Sequence, residues 1–298
     1  MSQKFNRNYI LTIDPKDGEP VIVVQPPFTI RFHMKRDIVA SLNNISIDIY
    51  NLSLSNRRRI YQDTFNLQEK YINGVNVGRS SVSLQIGYGS TLYQVYSGDI
   101  FLASSVREGT DLITHIEGLS GAFDVASGNI NTTLVAGTTL AQVFKALIAA
   151  LPNVQYGCVG NWNMVFPRAI VLNGNAWQLI QQYSGNRGYI DNGKAYVLQD
   201  NEALIATSLT TLDASSGLLE TPRREFAFMT VTTLLEAGVT INQILNINSA
   251  VEPVYNGSYK VVGFQHAGVI SGAVSGDCRT TFFLLAANYF NYTKLQGS

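Results

Sequence analysis

Cysteine is nearly absent from this chain of 298 residues. Its two copies, Cys158 and Cys278, lie far apart and outside any Cys-x-x-Cys spacing. A structural zinc site is therefore excluded, and a disulfide framework is not expected. Charge is also scarce: Asp, Glu, Lys and Arg make up 14% of the residues, where about a quarter is usual for a soluble domain. A surface this poor in charge is expected to be covered in part by partners. The charges balance, 21 basic against 21 acidic, and the basic runs are short: Arg57-Arg58-Arg59 and Arg223-Arg224. Broad capture of nucleic acid needs clustered Lys and Arg, so no specific nucleic-acid binding is expected and both runs read as solvated faces. No apolar run reaches the ~18 residues of a membrane-spanning helix, which implies no membrane span. The opening MSQKFNRNYI lacks the apolar core of a signal peptide, so a protein that is cytosolic when made is the expectation. Without secretion the sequons at Asn131 and Asn256 carry no weight.

Chemistry-bearing patterns are equally thin. The three histidines, His33, His115 and His266, each sit in an alternating strand pattern with no second ligand at metal spacing, so they read as exposed or hydrogen-bonded strand residues. Ser271-Gly272 and Ser275-Gly276 lack the flanks of a nucleophile elbow. Gly87-Tyr88-Gly89 begins like a dinucleotide fingerprint but lies between antiparallel strands, without the third glycine or the helix that phosphate binding requires. The run from Asp14 to Glu19 has no calcium-loop spacing and reads as a turn. Asp111 with Glu117, or Asp99 with Glu108, are carboxylates of the kind a glycosidase pairs, but strand-end carboxylates are usually solvated. No catalytic residue, cofactor site or metal site is assigned.

What the chain does have is β pattern. Val82, Leu84 and Ile86 alternate with polar neighbours, the period of a half-buried strand. Gly87 to Ser90 turns the chain, Leu92 to Tyr96 forms a second strand, and Ser97-Gly98-Asp99 is expected to break it before Ile100 to Val106. A turn at Arg107-Glu108-Gly109 leads to a last strand through Leu112, Thr114 and Ile116. The result is an up-and-down ribbon of four strands, which needs closure or a neighbouring subunit to satisfy its edges. Upstream, strands are expected at Tyr9–Ile13, Val21–Val24, Phe28–Met34 and Ile45–Tyr50, with Pro26-Pro27 marking an edge. Ser55 is the expected cap of a short helix through about Asp63, and Asn66 to Arg79 reads as a loop.

The middle changes character. Thr138 or Thr139 caps a helix with Leu140, Val143, Phe144, Leu147 and Leu151 at helical period, stopped by Pro152. A second helix spans Ala176 to Tyr183 and ends at Gly185, and Asp191-Asn192-Gly193 signals a tight hairpin. Trp162 and Trp177 are candidate stacking platforms for a carbohydrate-binding module, although Trp177 sits in a helical apolar pattern that favours core packing. Strands return at Phe226–Leu235, Ile241–Ile247, Tyr259–Gln265 and Arg279–Leu285. No short-period repeat is visible. The fold class is mainly β with a small α+β insert: an N-terminal β domain over 1–118, a mixed module over 119–210 and a second β domain over 211–298.

The ribbon SLQIGYGSTLYQVYSGDIFLASSVREGTDLITHIEG resembles the N-terminal domain of phage baseplate hub proteins, the group that includes late control protein D. The marks are Gly87-Tyr88, Gly98-Asp99-Ile100 and, less faithfully, Gly109-Thr110-Asp111. The preceding NLSLSNRRRIYQD is similar to that family's short helix. The stretch with Gly217-Leu218-Leu219, Pro222, Leu234-Leu235, Gly238, Asn256-Gly257-Ser258-Tyr259 and His266-Ala267-Gly268 resembles its second half, with Val269 where relatives often carry Asp. The resemblance implies two tube-like β-barrel domains per subunit in a homotrimer, a pseudo-sixfold ring adapting the hexameric tail tube to the trimeric spike, with an axial lumen for DNA. It implies a virion protein that is not an enzyme. The implied partners are further copies of itself, the tail tube protein, the central spike protein, other baseplate proteins and the tape measure protein. The rival readings are a hexameric distal-tail or tube-initiator ring, a cell-wall hydrolase and a carbohydrate-binding module.

Overall fold

Period-two alternation builds the first strands. In a computed structural model describing residues 4–38, 43–61, 70–205, 211–226, 228–272, 276–286 and 293–297, β1 (Arg7–Asp14) buries Tyr9, Leu11 and Ile13. β2 (Ile22–Val24) buries Ile22 and Val24, β3 (Ile30–Asp37) buries Ile30, Phe32 and Met34, and β4 (Asn44–Tyr50) buries Ile45, Ile47 and Ile49. One face of each strand thus meets the core. Helix α1 (Leu54–Tyr61) follows. Its capping oxygen belongs to Ser53, which accepts the Asn56 N–H at 3.3 Å, and not to the expected Ser55, because the cap must precede its donor by three residues. The expected helix end at Asp63 lies outside the described residues, as does the start of the expected 66–79 loop. The described part of that loop holds a hairpin, β5 (Lys70–Ile72) and β6 (Val75–Gly78). Asn73 and Gly74 turn it at φ of 50° and 80°, the tight-turn geometry Asn-Gly favours.

The ribbon has three strands where four were expected: β7 (Ser81–Tyr88), β8 (Thr91–Glu108) and β9 (Asp111–Leu119). Ser97-Gly98-Asp99 does not interrupt β8. A Cβ at Gly98 would stand 2.6 Å from the Tyr96 hydroxyl and 2.7 Å from the Leu119 carbonyl, so this glycine serves close packing and not a turn. β8 changes partner along its length. Its first part pairs with β7 up to Ser81↔Asp99, and its second part pairs with β9 from Asp99↔Leu119 to Glu108↔Asp111, with a bulge between Ile100 and Leu102. Bulges bend and twist a strand.

The middle segment supplies α2 (Ala122–Ser127), β10 (Asn129–Leu134), α3 (Leu140–Ala149), β11 (Gln155–Val159), β12 (Ile170–Asn175), α4 (Ala176–Ser184), β13 (Gly188–Asp191) and β14 (Lys194–Val197). Thr139 caps α3 in a reciprocal box with Gln142, which satisfies two otherwise orphaned N–H groups. Gly185 ends α4 in the left-handed conformation, and Asn192 and Gly193 turn the β13–β14 hairpin at φ of 49° and 72°. Val143, Phe144 and Leu147 of α3 pack with Trp177 and Ile180 of α4 in a core of their own. The six-residue α2 carried no sequence signal, since it is too short to show a helical period.

The remaining strands are β15 (Glu202–Leu204), β16 (Thr211–Leu212), β17 (Arg223–Glu225), β18 (Phe228–Leu234), β19 (Ile244–Ile247), β20 (Gly257–Ile270), β21 (Cys278–Ala286) and β22 (Thr293–Leu295). The two β halves share one sheet of 13 strands, ordered β17-β18-β21-β20-β3-β4-β9-β8-β7-β1-β2 with β19 and β16 branching from β20. They are joined where β20 pairs with β3, from Gly263↔Asp37 to Ile270↔Ile30. One hydrophobic core runs under both, from Tyr9 to Ala286. The fold is mainly β, with one large antiparallel sheet whose described path ends on β2 and β17 without closing.

Within that sheet a pattern recurs. β3-β4-β9-β8 and β17-β18-β21-β20 share one connectivity: a hairpin, then a long strand, then a return strand inserted beside the hairpin. β7 pairs with the first part of β8, and β19 does the same on β20. Both long strands are bulged where their partners change, at Ile100/Leu102 and at Val261/Gly263. Ile100 N–H donates to the Ser80 carbonyl at 2.9 Å, and Val261 N–H donates to Gln243 at 2.9 Å. The buried Thr114 hydroxyl lies 3.2 Å from Ser105 Oγ, and the buried Thr280 hydroxyl lies 2.8 Å from His266 Nδ1. The residue types differ while the backbone register repeats.

Candidate functional site

Two surfaces stand out for a sheet edge that no described strand pairs or for exposed apolar side chains. The first is the outer edge of β8 beyond Asp99. Its inner edge is held by β9 through Glu108, while β7 stops at Asp99, so among the described residues no strand pairs with the outer edge from Phe101 to Glu108. Phe101, Leu102 and Val106 on this stretch are exposed. The second is the opposite end of the sheet, where among the described strands β17 pairs with β18 alone. There Leu219 and Phe228 are exposed, and Phe226 is 98% exposed at a left-handed φ of 56°. Natural proteins cover, charge or shorten such edges, as the three charged residues of β17 do, so it is the longer and more apolar outer edge of β8 that marks an association site.

A third feature ties the middle module to the sheet. Arg36, at the end of β3, is 3% exposed. Its Nη1 stands 2.5 Å from Asp191 Oδ1 in a contact that is ionic and not aligned as a hydrogen bond. Its Nη2 donates to the Val95 carbonyl and, at 2.7 Å, to Asn192 Oδ1. The guanidinium carbon lies 5.6 Å from the Phe264 ring centroid, within cation–π range. Burial lowers the Arg36 pKa against the pull of Asp191, and burial raises that of Asp191 against the pull of Arg36. Asn43 Nδ2 donates to the Ile190 carbonyl at 2.8 Å, and Asn242 Nδ2 donates to the Tyr189 hydroxyl at 3.0 Å. The β13–β14 hairpin is thereby pinned to the sheet by polar contacts with no sequence signature, because its partners lie far apart in the chain.

The residues considered for chemistry are dispersed. His33 is exposed on β3. His115 Nδ1 lies 2.7 Å from Asp48 and its Nε2 lies 3.3 Å from Glu117. Burial pulls its pKa down, but the two carboxylates together raise it. His266 is fully buried with Nε2 unpartnered, and burial pushes its pKa down to about 3. Asp111 accepts from Asn51 at 2.9 Å, Glu117 is engaged by His115, and Glu108 is exposed at the end of β8. Asp99 is driven to about 6, first by burial and then by Asp124. Trp177 is buried in the middle core, and Trp162 donates its indole N–H to the Val197 carbonyl at 2.9 Å while meeting Phe144 edge-on at 5.2 Å. Both cysteines are buried and free. Among the described residues no three His, Cys, Asp or Glu side chains cluster to hold a metal ion, and no helix is long and apolar enough to cross a membrane.

The sequence profile described as baseplate hub gp41 matches residues 10–267. The chain belongs to the baseplate hub gp41 family. It is a structural protein of the phage tail baseplate, and that membership assigns it to the virion tail. The hub chain is similar in fold to the tail protein from Neisseria meningitidis MC58, with a TM-score of 0.60 at 11% identity over 97% of this chain and 100% of that one. It is similar to the 43 kDa tail protein of prophage MuSo2 from Shewanella oneidensis, with a TM-score of 0.59 at 8% identity over 95% and 99%. It is also similar to the E. coli c3393 protein, a component of the type VI secretion system with structural similarity to the T4 bacteriophage tail proteins gp27 and gp5. That likeness has a TM-score of 0.53 at 10% identity over 93% and 76%. No curated protein matches the sequence.

Proposed function

We propose that this hub-family chain works as a homotrimer on the tail axis, adapting the hexameric tail tube to the trimeric central spike around an axial lumen for DNA. The observation that carries the reading is the internal recurrence: four strands of each half, β3-β4-β9-β8 and β17-β18-β21-β20, share connectivity and bulge position. If each half is the core of one tube-like domain, over 1–118 and 211–298, three chains present six near-equivalent units. Threefold assembly then imitates sixfold, which is the geometric requirement for joining the two symmetries. The module over 119–210, with its own core, stands apart from the recurring strands and is the part available to other baseplate proteins. Its partners on this reading are the tail tube protein, the central spike protein and the tape measure protein, with assembly in the host cytoplasm. The structural similarity of the E. coli neighbour to T4 tail proteins gp27 and gp5 supports the spike side. Balanced charge, 21 against 21, favours passage of DNA over its capture. The test is the mass of the purified protein by light scattering. Three chains are expected; six would favour a distal-tail ring with one unit per subunit, and a stable monomer would remove both.

A further inference from the structure

We propose that the middle module carries a saccharide site, a hollow beside Trp162 that takes sugar units of a neutral polysaccharide. The inference goes beyond the hub reading and does not depend on how many chains assemble.

Two surface loops and Arg187 make the site. One loop follows β11 and holds Gly160, Asn161 and Trp162; the other joins β14 to β15 and holds Gln199, Asp200 and Asn201. The hollow between them has a volume of about 480 Å³. Along Arg187, Gln199 and Asp200 it continues into a second of about 220 Å³, lined further by Asn186 and Asn242. Loops are ordinarily the mobile parts of a fold, yet these two are locked from beneath. Glu202 is 1% exposed, and its carboxylate accepts the Asn161 N–H at 2.6 Å and the Gln199 N–H at 2.8 Å. Gly160 admits that carboxylate, since a Cβ there would stand 1.7 Å from Glu202 Oε2. Gln199 Nε2 donates to the Asn161 carbonyl at 2.7 Å. The buried Lys260 ammonium donates to the Asp200 and Glu202 carbonyls at 3.2 and 2.6 Å. The indole N–H of Trp162 on the Val197 carbonyl fixes its ring. Buried charges are costly, and here one of each sign holds two exposed loops in a single shape. That is a preorganised binding surface.

The lining selects the ligand class. A sugar ring has an apolar C–H face and a rim of hydroxyls that both donate and accept. The partly exposed Trp162 ring offers a flat apolar surface to the first. Arg187, Gln199, Asp200 and Asn201 offer the second planar groups whose adjacent polar atoms match neighbouring hydroxyls. Charge cancels at the rim, where Arg187 holds Asp200 through two bonds of 3.0 and 2.8 Å. A phosphate-bearing strand needs a positive groove, so a neutral sugar fits this hollow and nucleic acid does not.

The chain has two tryptophans and Trp177 is buried, so a change in emission on titration reports Trp162. The full chain is titrated with neutral trisaccharides of glucose, galactose, rhamnose or N-acetylglucosamine, and with a thymidine dinucleotide as the charged control. At least one trisaccharide should give a saturable shift with a Kd of about 1 mM, and saturation-transfer NMR should mark its ring protons. The dinucleotide should give neither signal. Trp162→Ala should weaken binding, read by NMR, by about tenfold or more. Because Trp162 also packs on Phe144, Asn201→Ala and Asp200→Ala at exposed positions complete the test. Each should weaken binding by about fivefold with an unchanged circular dichroism spectrum. No saturable binding by any trisaccharide, or binding that all three variants retain, overturns the site and leaves the hub reading standing. A dinucleotide bound as tightly as the sugars overturns the ligand class.

Discussion

Arg36 is a buried charge at the end of β3. It carries a full charge into the junction between sheet and middle module, where Asp191 opposes it at 2.5 Å. Removing one member of a buried pair leaves the other uncompensated, which costs about 3–5 kcal/mol, whereas replacing both with apolar groups is often near neutral. Arg36→Ala is therefore expected to lower stability by about 3–5 kcal/mol in urea unfolding, and Arg36→Met combined with Asp191→Leu to recover most of that loss. Asp99 and Lys260 take equivalent places on β8 and β20, each just before the bulge, with opposite charge. Burial raises the Asp99 pKa to about 6 and lowers that of Lys260 to about 8, where its ammonium donates to the Glu202 carbonyl at 2.6 Å. For Asp99 the folded state holds its proton more tightly than the unfolded chain. Its contribution is thus fully present below pH 4 and is lost as pH rises through about 6. Asp99→Asn should raise the melting temperature at pH 8 and leave it nearly unchanged at pH 4. For Lys260 the unfolded chain holds the proton more tightly, so its contribution improves as pH climbs from about 8 towards 10.5.

At the scale of elements, local rules acted where partners lie close in sequence. The Thr139–Gln142 box started α3 where the apolar period said it would, and Thr139→Ala should cost about 1 kcal/mol, read as earlier loss of tryptophan fluorescence signal. Both tryptophans belong to the middle module, so that signal isolates it. Asn192-Gly193 turned its hairpin as expected from composition alone. The same rules misjudged β8, because Gly98 looks like a breaker until Tyr96 and Leu119 are seen pressing against its missing side chain. Gly98→Ala is expected to destabilise the protein by about 1–3 kcal/mol through forced displacement of backbone, measured as a lower midpoint in chemical denaturation. The candidate chemistry was legible in the same limited way. His33 could be read as an exposed strand residue, but the burial of His266 and the unpaired state of its Nε2 could not.

At the scale of the molecule the two β halves behave as one body, since Ile47 of the first and Met229 of the second sit in a single core. Ile47→Ala and Met229→Ala should each cost about 2–5 kcal/mol and shift the same cooperative transition in far-ultraviolet circular dichroism. Two separate transitions, each moved by only one of the variants, would show that the halves fold independently.

The amino-acid sequence by itself determined that the chain is rich in strands, where most of them run, which residues face inward, and where α3 and α4 begin and end. Those properties follow from steric and solvation preferences acting over a few residues. Only the tertiary structure decided that β3 joins β20, that the two halves repeat one backbone register, and that Arg36 meets Asp191. These pairings close long loops, and collapse of the whole core selects them. The recurrence was hidden because burial and hydrogen bonding constrain the backbone at equivalent positions while leaving the side chains there free to differ, as Ser105 and His266 do against Thr114 and Thr280.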